Sequence, residues 1–524
     1  MFSAENFLNT YRKPIWKNTS VSILSVIMVL LGLSFLAPLA LSIYYGDNPW
    51  MFLYPMAILV PSGLVLMMLF GRDEEGLSSV SGILLIGETF LLLFLTGTIP
   101  MAVSGMPLLD AFFESVSGFT TTGFTMVRDF DSFPNSLFLW RSMTQWIGGI
   151  SVILIFLYML PAMGLGGKGL FLNETSGANS KNFSVRLRDA TKSFLIIYFI
   201  LTMVQMILLL MFGVAPLESA CMTLSTVSTG GFLPDGSSVM NYGYEVKIID
   251  IIFMFLGGTN FYLHYKGIYR GRFEPYKKSV EFRWILYWFT GISILLTILI
   301  LNAKKTFGTE EIFSTFLDTA FTVVSLGTST GFAVVDYTDA AVWPVPIAFA
   351  LLLLVCFVGG MGGSTAGGVK MYRFVIILKY IKNNIYKTLH PLAVYDVKMD
   401  DQSVDESSVM YAFVIVSIFS ITILVFSLVL MLNGMEAKDS VGLIVSTTVN
   451  TGAAFGNYGP FDDLYCIDPL TKIIMCVLMF LGRIEMATGL LLFMPGFWKE
   501  VMMNRGKKTR RVREFNISML LRKK

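Results

Sequence analysis

Apolar residues in this chain run in stretches of about 20, the length a helix needs to cross a bilayer. Short polar connections separate the stretches. Ten runs are predicted as spans: Val21–Tyr45, Trp50–Phe70, Val80–Ala102, Ser136–Met163, Ser193–Phe212, Lys247–Tyr265, Trp284–Leu301, Trp343–Met371 with an interruption, Tyr411–Leu432 and Thr471–Phe493. Four shorter segments lie between the third and fourth, fifth and sixth, seventh and eighth, and ninth and tenth runs. They are Pro107–Phe119, Pro216–Val227, Glu311–Gly327 and Ser440–Val449, each too short to span. Each leads into a polar phrase closed by Thr-Gly: Thr120-Thr121-Thr122-Gly123, Val227-Ser228-Thr229-Gly230, Thr328-Ser329-Thr330-Gly331 and Val449-Asn450-Thr451-Gly452. The closing glycines stand 107, 101 and 121 residues apart. A unit of long helix, half-helix, polar loop and long helix is therefore predicted four times, behind a leading helix pair.

Composition supports a polytopic membrane protein. Of 524 residues, 54% are hydrophobic and 14% charged, against about 25% charged in soluble domains. The net charge of +3 gives no argument for nucleic acid. Cys221, Cys356, Cys466 and Cys476 are scattered, without metal-ligand spacing, and two histidines cannot build a metal site alone. The stretch before the first run carries Arg12, Lys13 and Lys17 and does not read as a cleavable signal.

Charge predicts orientation. Basic residues gather in one set of connections: Lys168, Lys181, Arg186, Arg188 and Lys192, then Lys266, Arg270, Arg272, Lys277, Lys278 and Arg283, then Lys379, Lys382 and Lys387. The tail adds Arg505, Lys507, Lys508, Arg510, Arg511 and Arg513. Acidic residues dominate the opposite side. Both termini are expected in the cytoplasm, with the Thr-Gly loops facing outward.

Non-helical backbone at membrane depth is tolerated only where it is buried in protein or lines a wet cavity. Four such loops in register predict one fourfold site in which backbone carbonyls replace the water shell of a small cation. The phrases hold no carboxylate ring, which argues against a divalent-cation filter and leaves potassium and sodium undivided. Asp110, Glu114, Asp129, Asp235, Asp336 and Asp462 are expected at the outer mouth, concentrating cations.

The eighth run breaks at Gly359-Gly360-Met361-Gly362-Gly363-Ser364-Thr365-Ala366-Gly367-Gly368. Glycine inside a helix costs about 1 kcal/mol relative to alanine, so a gating loop beneath the phrases is expected instead of regular helix. Close packing of small residues is the alternative. Arg483 lies mid-span, where a charge is costly and faces a partner or a wet cavity. It is expected beside the glycine loop, holding the loop carbonyls and raising a barrier to cations. Glu485 is a poor partner for it, because residues two apart on a helix do not face each other. His264 is read as structural, and Arg141 as a brace behind the first half-helix.

The motifs Gly118-Phe119-Thr120-Thr121-Thr122-Gly123-Phe124, Gln145-Trp146-Ile147-Gly148-Gly149, Ser228-Thr229-Gly230-Gly231-Phe232, Gly257-Gly258-Thr259-Asn260-Phe261, Gly359 to Lys370 and Gly482-Arg483-Ile484-Glu485 carry a resemblance. The chain is similar to the potassium-translocating subunits of the Trk/Ktr/HKT superfamily over nearly its whole length. The leading helix pair favours the bacterial TrkH type. The resemblance implies potassium uptake and associates Gly123, Gly230, Gly331 and Gly452 with potassium selectivity. Some plant relatives carry serine at the first of these positions and pass sodium. Ion contacts are expected at Thr121, Thr122, Ser228, Thr229, Ser329, Thr330, Asn450 and Thr451.

The resulting expectation is an all-α polytopic membrane protein, not an enzyme, in a bacterial cytoplasmic membrane. Four units (76–170, 185–268, 280–385 and 405–497) surround one pseudo-fourfold pore, with a leading pair (1–75) and a basic tail (498–524). The third and fourth units are expected to carry the gate alone. The resemblance implies a homodimer on a cytoplasmic nucleotide-binding regulatory ring of the TrkA type. This chain shows no nucleotide motif of its own; lipid is its other expected partner. An alternating-access carrier, which also uses discontinuous helices, is the competing class.

Overall fold

The computed structural model describes residues 16–71, 79–159, 180–271, 273–390, 396–400 and 402–503. Arg12, Lys13, Lys168, Arg272 and the tail bases from Arg505 to Arg513 lie outside the described residues.

Strand β1 (Trp16–Lys17) precedes α1 (Thr19–Ser34), which is capped by Asn18 Oδ1 accepting from the Ser20 and Val21 amides at 3.1 and 3.4 Å. After a break at Phe35, α2 (Leu36–Tyr45) completes one 27-residue apolar stretch. Helix α3 (Trp50–Leu69) runs back against α1, with Gly32 against Val60 and Gly63 against Val29. Small residues of this kind let apolar helices approach closely. Strand β2 (Phe70–Gly71) pairs in parallel with β1.

The remaining helices follow the order of the four predicted units. The first is α4 (Ser79–Val103), short α5 (Leu108–Phe119) and α6 (Asn135–Met159). The second is α7 (Ser180–Met211), short α8 (Pro216–Val227), α9 (Tyr244–Gly257) and α10 (Phe261–Arg270). After α11 (Glu274–Lys278) comes the third: α12 (Val280–Lys304), α13 (Thr309–Gly327), α14 (Ile347–Phe357), β3 (Val358–Gly359), β4 (Val369–Lys370) and α15 (Met371–Leu389). A hairpin of β5 (Lys398–Met399) and β6 (Gln402–Ser403) leads to the fourth: α16 (Glu406–Leu432), short α17 (Ala437–Thr448), α18 (Pro469–Arg483) and α19 (Met486–Leu491).

Among the described residues six helices are long and apolar enough to cross a membrane, or seven if the bent pair α9–α10 counts as one span. The sequence anticipated one interrupted span, the eighth. The sixth is interrupted as well, turning by 100° between α9 and α10, and the tenth divides at Ile484 and Glu485. The sixth breaks because Gly257 and Gly258 weaken the helix and Asn260 starts a new one, its Oδ1 accepting from the Tyr262 amide at 2.8 Å.

The core forms two large clusters. One gathers the second and third units, around Tyr198, Phe253, Phe289 and Phe321. The other gathers the leading helices with the first and fourth, around Phe52, Phe113, Trp140 and Met479. Two ion pairs follow this division, Lys247 with Asp318 at 3.3 Å and buried Lys472 with buried Asp110 at 2.6 Å, and a third, Arg373 with Glu485 at 2.9 Å, crosses it.

Candidate functional site

Each of α5, α8, α13 and α17 ends in the same closure. The cap residues are Thr120, Ser228, Thr328 and Val449. The next residues, Thr121, Thr229, Ser329 and Asn450, have left-handed φ values of 51°, 54°, 56° and 58°. The amide after each returns to a serine carbonyl: Thr122 to Ser117 at 2.9 Å, and Gly230 to Ser225, Thr330 to Ser325 and Thr451 to Ser446 at 2.8 Å. This six-residue closure is the Schellman cap. It normally carries glycine at the left-handed position, and other residues there cost about 1–3 kcal/mol each, persisting only where the surroundings impose them.

The closure corrects the predicted alignment of the second phrase. Val227 is the last helical residue, and Ser228-Thr229-Gly230-Gly231 matches Thr120-Thr121-Thr122-Gly123. Gly231, not Gly230, stands in register with Gly123, sharing its positive φ (89° against 96°). The glycine spacings become 108, 100 and 121 residues. In this register the four serines align, and each helix carries an acid seven residues earlier: Asp110, Glu218, Asp318 and Asp439. Ser117, Ser325 and Ser446 use their hydroxyls to hold the returning chain, donating to the carbonyls of Phe124, Phe332 and Ala453 at 2.7, 2.6 and 3.0 Å.

The four loops close a ring. A β-carbon on Gly123 would collide with the Gly230 carbonyl, one on Gly231 with the Thr330 carbonyl, and one on Gly452 with the Thr122 carbonyl. On Gly331 it would stand 2.9 Å from the Gly452 nitrogen. Each loop thus touches the next, and the fourth returns to the first. Helix C-termini carry partial negative charge, and four of them end at this ring.

Side chains break the symmetry. Hydroxyl pairs Thr120–Thr122 and Thr328–Thr330, both at 2.8 Å, occur in the first and third loops. In the second, Gln145 clasps the backbone, donating to the Gly230 carbonyl at 2.7 Å and accepting from the Phe232 amide at 3.0 Å. In the fourth, Asn450 donates to Thr122 Oγ1 at 3.0 Å and to the Met479 carbonyl at 2.8 Å.

Against this ring lies the predicted glycine loop. Strands β3 and β4 pair in parallel and pinch its ends together. Ser364 and Thr365 are buried, as are Gly359, Gly360, Gly362, Gly363, Gly367 and Gly368. Thr229 Oγ1 reaches Thr365 Oγ1 at 3.3 Å, and Ser329 Oγ accepts from the Gly367 amide at 2.6 Å. Thr365 Oγ1 donates to the Gly257 carbonyl at 3.0 Å, the Met361 amide to the Gly258 carbonyl at 3.0 Å, and the Phe261 amide to the Gly363 carbonyl at 3.1 Å. The loop therefore rests on the broken helix of the second unit, whereas the sequence assigned it to the third and fourth units alone. The Gly-Gly pair at 257–258 was the available signal.

Arg483 is buried beside this loop. Its Nη1 donates to the Thr365 carbonyl at 2.7 Å and its Nη2 to the Gly148 carbonyl at 3.4 Å, joining the third, fourth and first units. Glu485 turns elsewhere, to Arg373 at 2.9 Å. A residue that the sequence did not flag, Glu281 on α12, binds both sides of the break. Its Oε1 accepts from the Gly362 amide at 2.8 Å and the Tyr372 amide at 3.1 Å. Lys370 Nζ bonds the Ala366 carbonyl inside the same loop.

Two expected mouth acids are not free. Asp110 is paired with Lys472, and Glu114 with Arg141 at 2.6 Å. Buried carboxylates need such partners. Asp129, Asp235 and Asp462 are exposed, and Asp336 is half-buried. Arg141 also donates to Thr125 Oγ1 at 2.9 Å and the Leu233 carbonyl at 3.3 Å, a brace behind the loops. His264 bridges the Tyr276 hydroxyl and the Leu256 carbonyl, both at 2.9 Å, which is a structural role.

A family model described as TrkH, a cation transport protein, matches residues 65–499. The Trk system potassium uptake protein TrkH of Halomonas elongata is 29% identical over 491 residues, covering 91% of this chain and 98% of the relative. The protein of the same name from Escherichia coli K12 is 31% identical over 445 residues, covering 82% and 88%. The crystal structure of the potassium transporter TrkH from Vibrio parahaemolyticus matches with a TM-score of 0.82 at 26% identity, covering 91% of this chain and 98% of that one. These relatives are transport proteins, not enzymes.

Proposed function

The chain belongs to the TrkH family of cation transport proteins, and we propose that it takes up potassium across the bacterial cytoplasmic membrane. The observation that carries this reading is the closed ring of four capped helix ends. It brings four sets of backbone oxygens to the negative ends of four helices, the means by which a filter replaces the water around a small cation. In the corrected register the filter is Thr120–Gly123, Ser228–Gly231, Thr328–Gly331 and Val449–Gly452. Potassium is the cargo of the relatives, which are Trk system potassium uptake proteins.

In this reading ten spans and four half-helices form four units, 76–170, 185–268, 280–385 and 405–497, around one pore. The leading pair stands outside it, and both termini are cytoplasmic. Asp129, Asp235, Asp336 and Asp462 draw cations to the mouth. The loop from Gly359 to Gly368 closes the path beneath the filter. Arg483 holds it shut through the Thr365 carbonyl and opposes a cation with its own charge. The chain works as a homodimer, with nucleotide control supplied by a separate cytoplasmic partner of the TrkA type.

The test is the reversal potential of the purified protein in bilayers, with potassium, sodium and proton gradients imposed separately. It should follow the potassium gradient. A potential that follows sodium or protons instead overturns the proposal.

A further inference from the structure

Asp250 on α9 and Gln205 on α7 are both fully buried. Gln205 Nε2 donates to Asp250 Oδ1 at 2.9 Å. The remaining two oxygens, Asp250 Oδ2 and Gln205 Oε1, have no hydrogen-bond partner. Exchanging the amide's nitrogen and oxygen does not cure this, because the pair still lacks one donor.

Among the described residues no ion pair is formed by Asp250. Helix α9 packs against α7, α8 and α13. Lys247, one turn earlier on α9 itself, is committed to Asp318 on α13. Glu218 on α8 accepts from the Tyr242 hydroxyl at 2.9 Å. From α7 the facing group is the neutral Gln205. An Asp250 carboxylate would have a single neutral donor, the Gln205 amide. An ionised carboxylate in such surroundings is strongly disfavoured.

We propose that Asp250 is a proton-binding site. A proton on Oδ2 removes the charge and supplies the donor that Gln205 Oε1 lacks. Carboxylic acid and amide then match, with one donor and one acceptor each. The ligand is a resident proton, bound between α7 and α9, the helices that flank α8 and its ring loop. Its loss at alkaline pH places an uncompensated charge between α7 and α9 and weakens the second quarter of the ring.

Infrared spectroscopy of the full-length protein in liposomes tests this without reference to the ion carried. At neutral pH the difference between the unaltered chain and Asp250→Asn should contain the carbonyl stretch of a protonated carboxyl, shifted in heavy water and lost in the variant. Carboxylate stretches in its place, as a bound cation or water at an ionised Asp250 would give, overturn the proposal. If D250N does not fold, Gln205→Ala serves. It removes the bonded amide and should move the same band, and the absence of a protonated band that moves is equally fatal. In flux, D250N should keep rubidium uptake at neutral pH and lose less of it at alkaline pH than the unaltered chain. An identical alkaline decline overturns the link to transport.

Discussion

The ring of loops and the segments beneath it are built from the same four units by opposite rules. In the ring, four helices end in one backbone closure, with left-handed residues within a few degrees of each other. Beneath it every second helix differs. Helix α6 runs on unbroken, α9 turns by 100° into α10, α14 gives way to a pinched loop, and α18 stops at Arg483. In the proposed function the likeness suits the ring, since binding a spherical ion from all sides favours equal contributors, and the inequality suits a gate, which needs one part that moves against others that stay.

The sharpest way to break this contrast is to disturb the ring's register. Gly231→Ala adds a β-carbon at positive φ against the Thr330 carbonyl, whereas Gly230→Ala meets the Gln145 side chain. Backbone cannot yield as a side chain can, and the left-handed conformation alone costs about 1–3 kcal/mol. Rubidium uptake should fall to background in Gly231→Ala and fall less far in Gly230→Ala, which displaces the Gln145 clasp but clashes with no backbone. The reverse order would restore the alignment read from sequence and dissolve the equivalence of the four loops.

Arg483→Ala tests the unequal part. It removes a charged hydrogen bond from the Thr365 carbonyl, worth about 1.5–3 kcal/mol, a shift of roughly ten-fold or more in the loop's equilibrium. Rubidium flux into proteoliposomes should rise accordingly with ion preference unchanged, since no ring contact is touched. Unchanged flux would make Arg483 a static brace.

A smaller effect separates the two anchors of the loop. Glu281→Ala leaves the Gly362 and Tyr372 amides without their acceptor, at a cost of about 1–3 kcal/mol. Glu281→Gln keeps an acceptor oxygen. The alanine variant should lower the thermal midpoint and raise flux, and glutamine should stay close to the unaltered chain. Equal loss in both would mean that the charge matters rather than the bond.

Much of this architecture was legible in the sequence, for a physical reason. Apolar runs of spanning length and half-length are one-dimensional signals, and α8 begins and ends where they predict. The glycine run of the third unit is a strong signal because so many glycines weaken a helix. What escaped depends on backbone angles and distant partners. Ser228-Thr229-Gly230-Gly231 offers two glycines, and only the left-handed φ of Thr229 says which one closes the loop. Asp110 and Glu114 look like mouth acids until Lys472 and Arg141 are seen against them. Glu281 lies about 80 residues before the amide it holds, and no local pattern connects the two.

The finest comparison is within the ring itself. Ser117, Ser225, Ser325 and Ser446 occupy one position, yet only three close a bond to the returning chain; the Ser225 hydroxyl is buried without a partner. A buried hydrogen bond of this kind contributes about 1 kcal/mol net, and an unmatched buried hydroxyl contributes nothing or costs. Ser117→Ala, Ser325→Ala and Ser446→Ala should therefore each lower the thermal midpoint by a few degrees, while Ser225→Ala should leave it unchanged or raise it. Ser117→Ala carries a second loss, because the Gly123 amide also donates to that hydroxyl at 3.1 Å, and it should be the largest of the four. The second loop can spare its serine because Gln145 already holds the Gly230 carbonyl and the Phe232 amide. Gln145→Ala should then make Ser225→Ala newly costly, and a double-mutant cycle showing strict additivity would refute that substitution of one latch for the other.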